Sequence, residues 1–387
     1  MTGIVLSASV RQNLLSLQST ASLLATTQND LATGNKVNSA LDNPTNYFTA
    51  QSLNNRASDI SNLLDGIGNG VQVLQAANTG ITSLQSLVDT AKSIANQVLQ
   101  TTVGYTAKST VTSAAALGGT AANLVDGATI KAGQTIIVAA STGLPAVTVT
   151  IGASESLAQL NTALAAGNLT ASLDVNNKLV ITTTNDAASS TIGAVTVGST
   201  PGTASFGAAV APVADPASQA IRSNLVSQYN NIIAQITTTA QDSSFNGINL
   251  LNGDNLKLTF NETGKSTLNI TGVTYNATGL GLNTLVSGTD FLDNNSANNA
   301  ISALSAASTS LRTEASALGS NLSIVQIRQD FSKNLINVLQ TGSSNLTLAD
   351  TNEEAANSQA LSTRQSIAVS ALALANQSQQ SVLQLLR

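Results

Sequence analysis

The chain has no cysteine, no histidine and no tryptophan, only five prolines, and charged residues at 9% of its 387 positions. Each shortage excludes something. Without cysteine there is no disulfide, thiolate nucleophile or cysteine-bound metal, and without histidine the commonest general base and zinc ligand is gone. Soluble domains usually carry about 25% charged residues, so this chain is expected to hide much of its surface in copies or partners, or to coat it with uncharged polar groups. Its 15 basic against 20 acidic residues leave a net charge of −5, which offers no footprint for nucleic acid or an anionic membrane. No apolar run approaches the ~18 residues of a membrane span. The opening MTGIVLSASVRQN lacks the charged-then-apolar pattern of a cleaved leader, so any export is expected by a route that cleaves nothing.

What is present is apolar but thin. Hydrophobic residues make up 42% of the chain and aromatic ones 3%, a mixture of Ala, Leu, Val and Ile that suits helical seams better than one thick core. A helix interior rejects proline at about 3 kcal/mol, and 45–144 and 217–387 contain none. Near the start, Val10, Leu14, Leu17, Ala21, Leu24, Gln28 and Leu31 alternate steps of four and three, the seam of one helix packed along another. The other end answers with Leu361, Gln365, Ala368, Leu372, Ala375, Gln379, Val382 and Leu386. Arg11 is the lone charge before Asp30, so the outer faces of this first helix are also expected to meet helices.

Asn43-Pro44 reads as a cap followed by first-turn proline, opening a helix whose seam runs from Ile60 through Leu74 and Leu84 to Val98. The same rhythm returns from Ile301 through Leu318 and Val325 to Leu339. A further helix begins at Asp215-Pro216, with Ile221, Leu225, Ile232 and Ile236 as its apolar face. FNGINLLNG (245–253) is rich in turn signals, and KLTFNE with STLNITGV alternates like a small hairpin. Between the helical stretches, five β-like runs in 135–199, with a short helix over 156–167, predict a β-β-α-β-β module inserted at two neighbouring points. The predicted fold is mainly α: a long antiparallel helical hairpin or coiled-coil rod carrying a small β-hairpin and an inserted α+β domain. Its parts are 1–44, a terminal helix and loop; 45–104, a long helix; 105–215, the insertion; 216–290, a helix and the β-hairpin; 291–345, a returning helix; and 346–387, the other terminal helix.

Catalytic patterns are scarce. Gly66, Gly68 and Gly70 do not have dinucleotide-loop spacing and follow no strand, so close approach between helices is the better account of them. No lysine has a serine three residues before it, and neither a nucleophile elbow nor a phosphate loop occurs. Glu353 and Glu354 suit the first turn of the last helix, where the dipole favours negative charge. No catalytic, cofactor or metal site is therefore expected, and the chain does not read as an enzyme.

The run LATGNKVNSALDNP (31–44) resembles the signature of the bacterial flagellins, carried by Gly34, Lys36, Val37, Asn38, Ser39, Ala40 and Asp42. The ending ALANQSQQSVLQLLR (373–387) and the run FNGINLL are similar to that family's C-terminus and to its turn after a core helix. The inserted module resembles a repeat of outer domains in flagellins and filament-cap proteins. The resemblance implies a secreted, extracellular subunit of the flagellar filament, exported unfolded through the flagellar type III channel. Its partners would be other copies of itself, the hook-associated junction and cap proteins and an export chaperone, with neither nucleic acid nor membrane. Val10, Leu14, Leu17, Ala21, Leu24 and Leu31 would pair with Leu361, Ala368, Leu372, Ala375, Val382 and Leu386 as the inner tube, with 105–215 as an external knob. A hook-filament junction protein, or a surface adhesin using the β module, are the alternative readings.

Overall fold

The structure, a computed structural model, describes residues 8–198 and 205–385. Its helices are α1 (Ala8–Thr33), α2 (Pro44–Gln100), α3 (Leu157–Leu164), α4 (Pro216–Asp242), α5 (Asn294–Thr347) and α6 (Thr351–Leu385). The strands are β1 (Tyr105–Ala107), β2 (Thr110–Thr112), β3 (Thr135–Val138), β4 (Val147–Thr150), β5 (Leu169–Leu173), β6 (Leu179–Thr183), β7 (Val195–Gly198), β8 (Val213–Ala214), β9 (Asn255–Thr259) and β10 (Thr267–Thr271). The fold is mainly α with a β-rich insertion. The described residues form two compact units, one from 8–69, 258–268 and 324–385, the other from 70–198, 205–257 and 269–323.

In the first unit, α2 and α5 meet through Ala57, Ile60 and Leu339, with Leu53, Leu335 and Ile336 packed around them. Asn43 caps α2 by accepting the Asn46 N–H at 3.0 Å. Two arginines hold the turn between β9 and β10: Arg56 donates to Glu262 at 2.7 Å, and Arg328 lies 5.0 Å from the Phe260 ring centre while donating to Ser266. Gly66 and Gly68 of α2 do not serve a close helix contact. Gly66 has open space around it, and a Cβ at Gly68 would touch only the end of Gln329 at 3.9 Å.

In the second unit, α2 buries Leu74, Ile81, Leu84, Val88, Ala91 and Val98, and α5 buries Leu304, Leu311 and Leu318, as their spacing predicts. The close approach falls at Gly80, where a Cβ would come 2.7 Å from Leu251 and collide with Ser243. Asn249 closes α4: its side-chain amide donates to the Ala240 and Gln241 carbonyls, both at 2.8 Å, and its oxygen accepts the Leu251 N–H. The buried face of α4 differs from the apolar one expected. Ser218, Arg222, Leu225, Val226, Tyr229, Ile233, Ile236 and Ala240 face inward, while Ile221 is 53% exposed.

Hydrogen bonding explains that shift. Arg222 is fully buried and donates to the carbonyls of Val98, Thr101 and Thr102 at and just beyond the end of α2, and to the Phe291 carbonyl and Asn294 side chain. Burial pulls its pKa down and Asp293 pushes it back up. Phe291 itself sits at φ 61°, a left-handed conformation uncommon for a bulky residue, with its ring edge-on to Tyr229. Burial pushes the Tyr229 phenol up to about 12.

The insertion leaves and rejoins the helices through β1 and β8, which pair antiparallel with Tyr105 opposite Ala214. It contains two three-stranded antiparallel sheets, ordered β2-β6-β5 and β4-β3-β7. Three of these strands, β1, β2 and β8, go beyond the five expected. They are two or three residues long, too short to show alternation. Leu124, Ile136, Val138, Leu160, Leu164, Leu179 and Ile181 fill the core between the sheets and α3. Ser156 and Gln159 form a reciprocal cap on α3.

Candidate functional site

The residues singled out in the sequence gather on α1, α6 and the loop after α1. That loop is built by short-range polar geometry. Gly34 ends α1 at φ 71°, which glycine adopts without strain. Asp42 then folds the chain back, accepting the N–H groups of Asn38 and Ser39 at 3.0 and 2.8 Å and the Ser39 hydroxyl at 3.1 Å. The Ser39 and Asn38 amides, in that order, hold the Asp42 carboxyl below its usual range, against a smaller upward push from burial. Asn38 donates its side-chain amide to Asp30 at 3.0 Å and to the Asn35 carbonyl at 2.8 Å.

The same loop is stitched to the junction of α5 and α6. Lys36 and Val37 donate their backbone N–H groups to the Thr347 carbonyl, Ala349 donates to the Gly34 carbonyl, and Asn35 bridges Leu348. Val37 is buried, Ala40 half-buried and the Lys36 side chain exposed. Asn38, Ser39 and Asp42 thus act on the backbone, whereas Lys36 leaves its charge free in solvent.

From this junction α1 and α6 run antiparallel and pack along each other. On α6 the half-buried positions include Leu361, Gln365, Ala368, Leu372 and Ala375. The Val382 side chain and Leu386 lie outside the described residues. On α1, Val10 is buried and Leu17, Ala21 and Leu24 are half-buried, but Leu14 and Leu31 are 37% and 39% exposed. Asn13, Thr20, Thr27 and Asp30 turn inward instead, so the contact face steps 10, 13, 17, 20, 24, 27. Counting apolar residues alone misses these polar members. The signal for them is that the three-four alternation can start from Val10 in either order.

This arrangement leaves Leu15 and Leu23 of α1 and Ile367, Val369 and Leu374 of α6 more than half exposed. The two helices carry few charges, Arg11 and Asp30 on one, Glu353, Glu354 and Arg364 on the other. Among the described residues no three acidic side chains gather where a metal could be held, and no helix is long and apolar enough to cross a membrane.

Residues 6–129 match the bacterial flagellin N-terminal helical region, and residues 301–386 match the bacterial flagellin C-terminal helical region. The chain belongs to the bacterial flagellin family. Flagellin FljM of Caulobacter vibrioides is 33% identical over 165 residues, 42% of this chain and 59% of that protein. Flagellin A of Rhizobium meliloti is 38% identical over 87 residues, 22% of each chain, and the flagellin of Brucella melitensis 29% identical over 177 residues, 43% of this chain and 62% of its own. The chain therefore spans 59% of the length of the Caulobacter flagellin. The family regions contain α1, α2, α6 and most of α5. Most of the insertion, with α4 and the β9–β10 hairpin, lies outside them.

Proposed function

We propose that this chain is a structural subunit that polymerises with copies of itself into the extracellular flagellar filament used for swimming. The observation that carries this reading is the helix pair at the two chain ends, which leaves Leu15, Leu23, Ile367, Val369 and Leu374 bare. Exposed apolar side chains on a surface this poor in charge favour burial against further copies. When the contacting faces of successive subunits differ, the contact does not close and assembly propagates as a helix. In this reading 1–33 and 352–387 build the innermost layer of the filament, 45–104 with 216–341 the layer around it, and 105–215 the outer surface. The chain is exported unfolded by the flagellar type III system with a chaperone, and meets junction and cap proteins at the filament ends. Its role is mechanical, with no catalysis.

The test is electron microscopy of pure monomer after addition of salt and short filament seeds, beside a chain lacking 1–33 and 352–387. Long tubes from the full chain and none from the truncated one support the proposal. A full chain that stays monomeric, or adds one layer to hook ends, favours the junction-protein reading.

A further inference from the structure

Resting on the polymerising reading above, we infer that Arg364 sets the stagger between neighbouring copies by taking a carboxylate from the start of α6 in a second copy. The argument begins with the distribution of charge on the α1–α6 pair. Asp350, Glu353 and Glu354 crowd one end, Asp30 near them is turned inward and held by Asn38, and Arg364 and Arg11 lie farther along. Arg364 forms no ion pair among the described residues. It lines two grooves of about 420 Å³ each along the helix pair. One has Asn13, Ser16 and Thr20 on its α1 wall, the other Thr27 with Asn357 and Leu361. The walls are apolar and hydroxyl- or amide-bearing, so Arg364 is the one charge either groove presents.

Consider a second copy laid parallel against these grooves. With no axial offset, Arg364 faces Arg364 and the acidic ends face each other, which is repulsive at both places. Arg364 and Glu354 are ten residues apart on one helix, about 15 Å at the helical rise of 1.5 Å per residue. An offset of that size brings the acidic end of one copy beside the Arg364 groove of the next, which removes both repulsions and puts one attraction in their place. Charge arranged this way selects a register more than it adds affinity, because it penalises the unshifted alternative. A repeated offset contact has no closing symmetry and so extends. In a sequence with so few charges, little else on these helices can make that choice.

The experiment compares full-length wild type, Arg364→Glu, Glu353→Arg/Glu354→Arg and all three changes together. Critical concentration is measured by sedimentation after seeding at low ionic strength, and helicity of each monomer by circular dichroism. The expected result is a rise of about tenfold for either partial reversal, the scale of one interfacial charge pair, and recovery to within about threefold in the combined chain. Arg364→Gln, which keeps the aliphatic stem, gives an intermediate rise. An Arg364→Glu chain that polymerises at the wild-type concentration, or a combined chain no better than its parts, overturns the inference while leaving the filament reading intact. A wild type that does not polymerise removes the filament reading itself.

Discussion

Arg222→Met isolates the contribution of a buried guanidinium that has no carboxylate bonded to it. The methionine keeps an unbranched side chain of similar reach but removes every donor. In the native chain the carbonyls of Thr102 (2.8 Å), Phe291 (2.6 Å), Val98 (3.0 Å) and Thr101 (2.9 Å), and the Asn294 side chain (3.2 Å), all accept from Arg222. A hydrogen bond from a charged donor contributes about 1.5–3 kcal/mol net. Against their sum stands the desolvation of the guanidinium, which methionine avoids, so the balance is closer to the ~3–5 kcal/mol found when a buried charge network is broken. We expect about 4 kcal/mol. The loss should concentrate locally, since the end of α2 loses its cap and Phe291 loses a bond that holds its left-handed backbone. Denaturant unfolding followed by circular dichroism gives the total, and amide exchange at 98–104 and 291–296 gives the location. Arg222→Lys, which keeps the charge but carries its donors on one nitrogen, should recover less than half of the loss. A total loss below about 1 kcal/mol in Arg222→Met, or full recovery by lysine, would refute the capping argument.

Two glycines of α2 should respond with opposite sign. Gly66→Ala, in open space within a helix, should stabilise by up to about 1 kcal/mol, whereas Gly80→Ala should destabilise by about 1–3 kcal/mol because its Cβ meets Leu251 and Ser243; thermal unfolding of both variants checks this. In the insertion, burial pushes the Asp126 carboxyl up, but the N–H groups of Gly118, Ile130, Ala128 and Thr129 outweigh it and hold the pKa at about 2, below its ordinary 3.8. A carboxyl depressed on folding stabilises above its unfolded pKa, so this contribution should fade as the pH falls from about 4 to about 2. Asp126→Asn should flatten that part of the acid-unfolding curve, and an unchanged curve would argue against the role. Replacing 106–213 with a two-residue linker should leave α2 and α4 folded, because the Asp215 N–H already donates to the Gly104 carbonyl at 2.9 Å. Loss of helicity beyond that of the deleted α3, read by circular dichroism, would count against an independent module.

The long helices were legible because their information is local and periodic. Leu74, Ile81, Leu84, Val88 and Val98 repeat at helical spacing, Asn43-Pro44 and Asp215-Pro216 announce their own starts, and the Asp215 side chain accepts the Ala217 N–H as a cap should. The loop from Gly34 to Asp42 was recognisable as a signature, but its purpose was not. Its side chains work on backbone groups at Asn38 and Ser39 that any sequence carries, and its anchor is a carbonyl at Thr347, far away along the chain.

By itself, then, the sequence determined which stretches form the long helices, which apolar residues α2 and α5 bury, that a β-rich module interrupts them, and which family the chain resembles. Tertiary structure decided which way α1 rolls against α6, turning Thr27 and Asp30 inward while Leu14 and Leu31 stay at the rim, and why α4 buries Arg222 instead of Ile221. The reason is the same in both cases. A hydrophobic pattern weighs each side chain by its own transfer free energy, whereas an unpaired backbone carbonyl or a lone carboxylate acquires its cost only once a neighbouring element has excluded water from it.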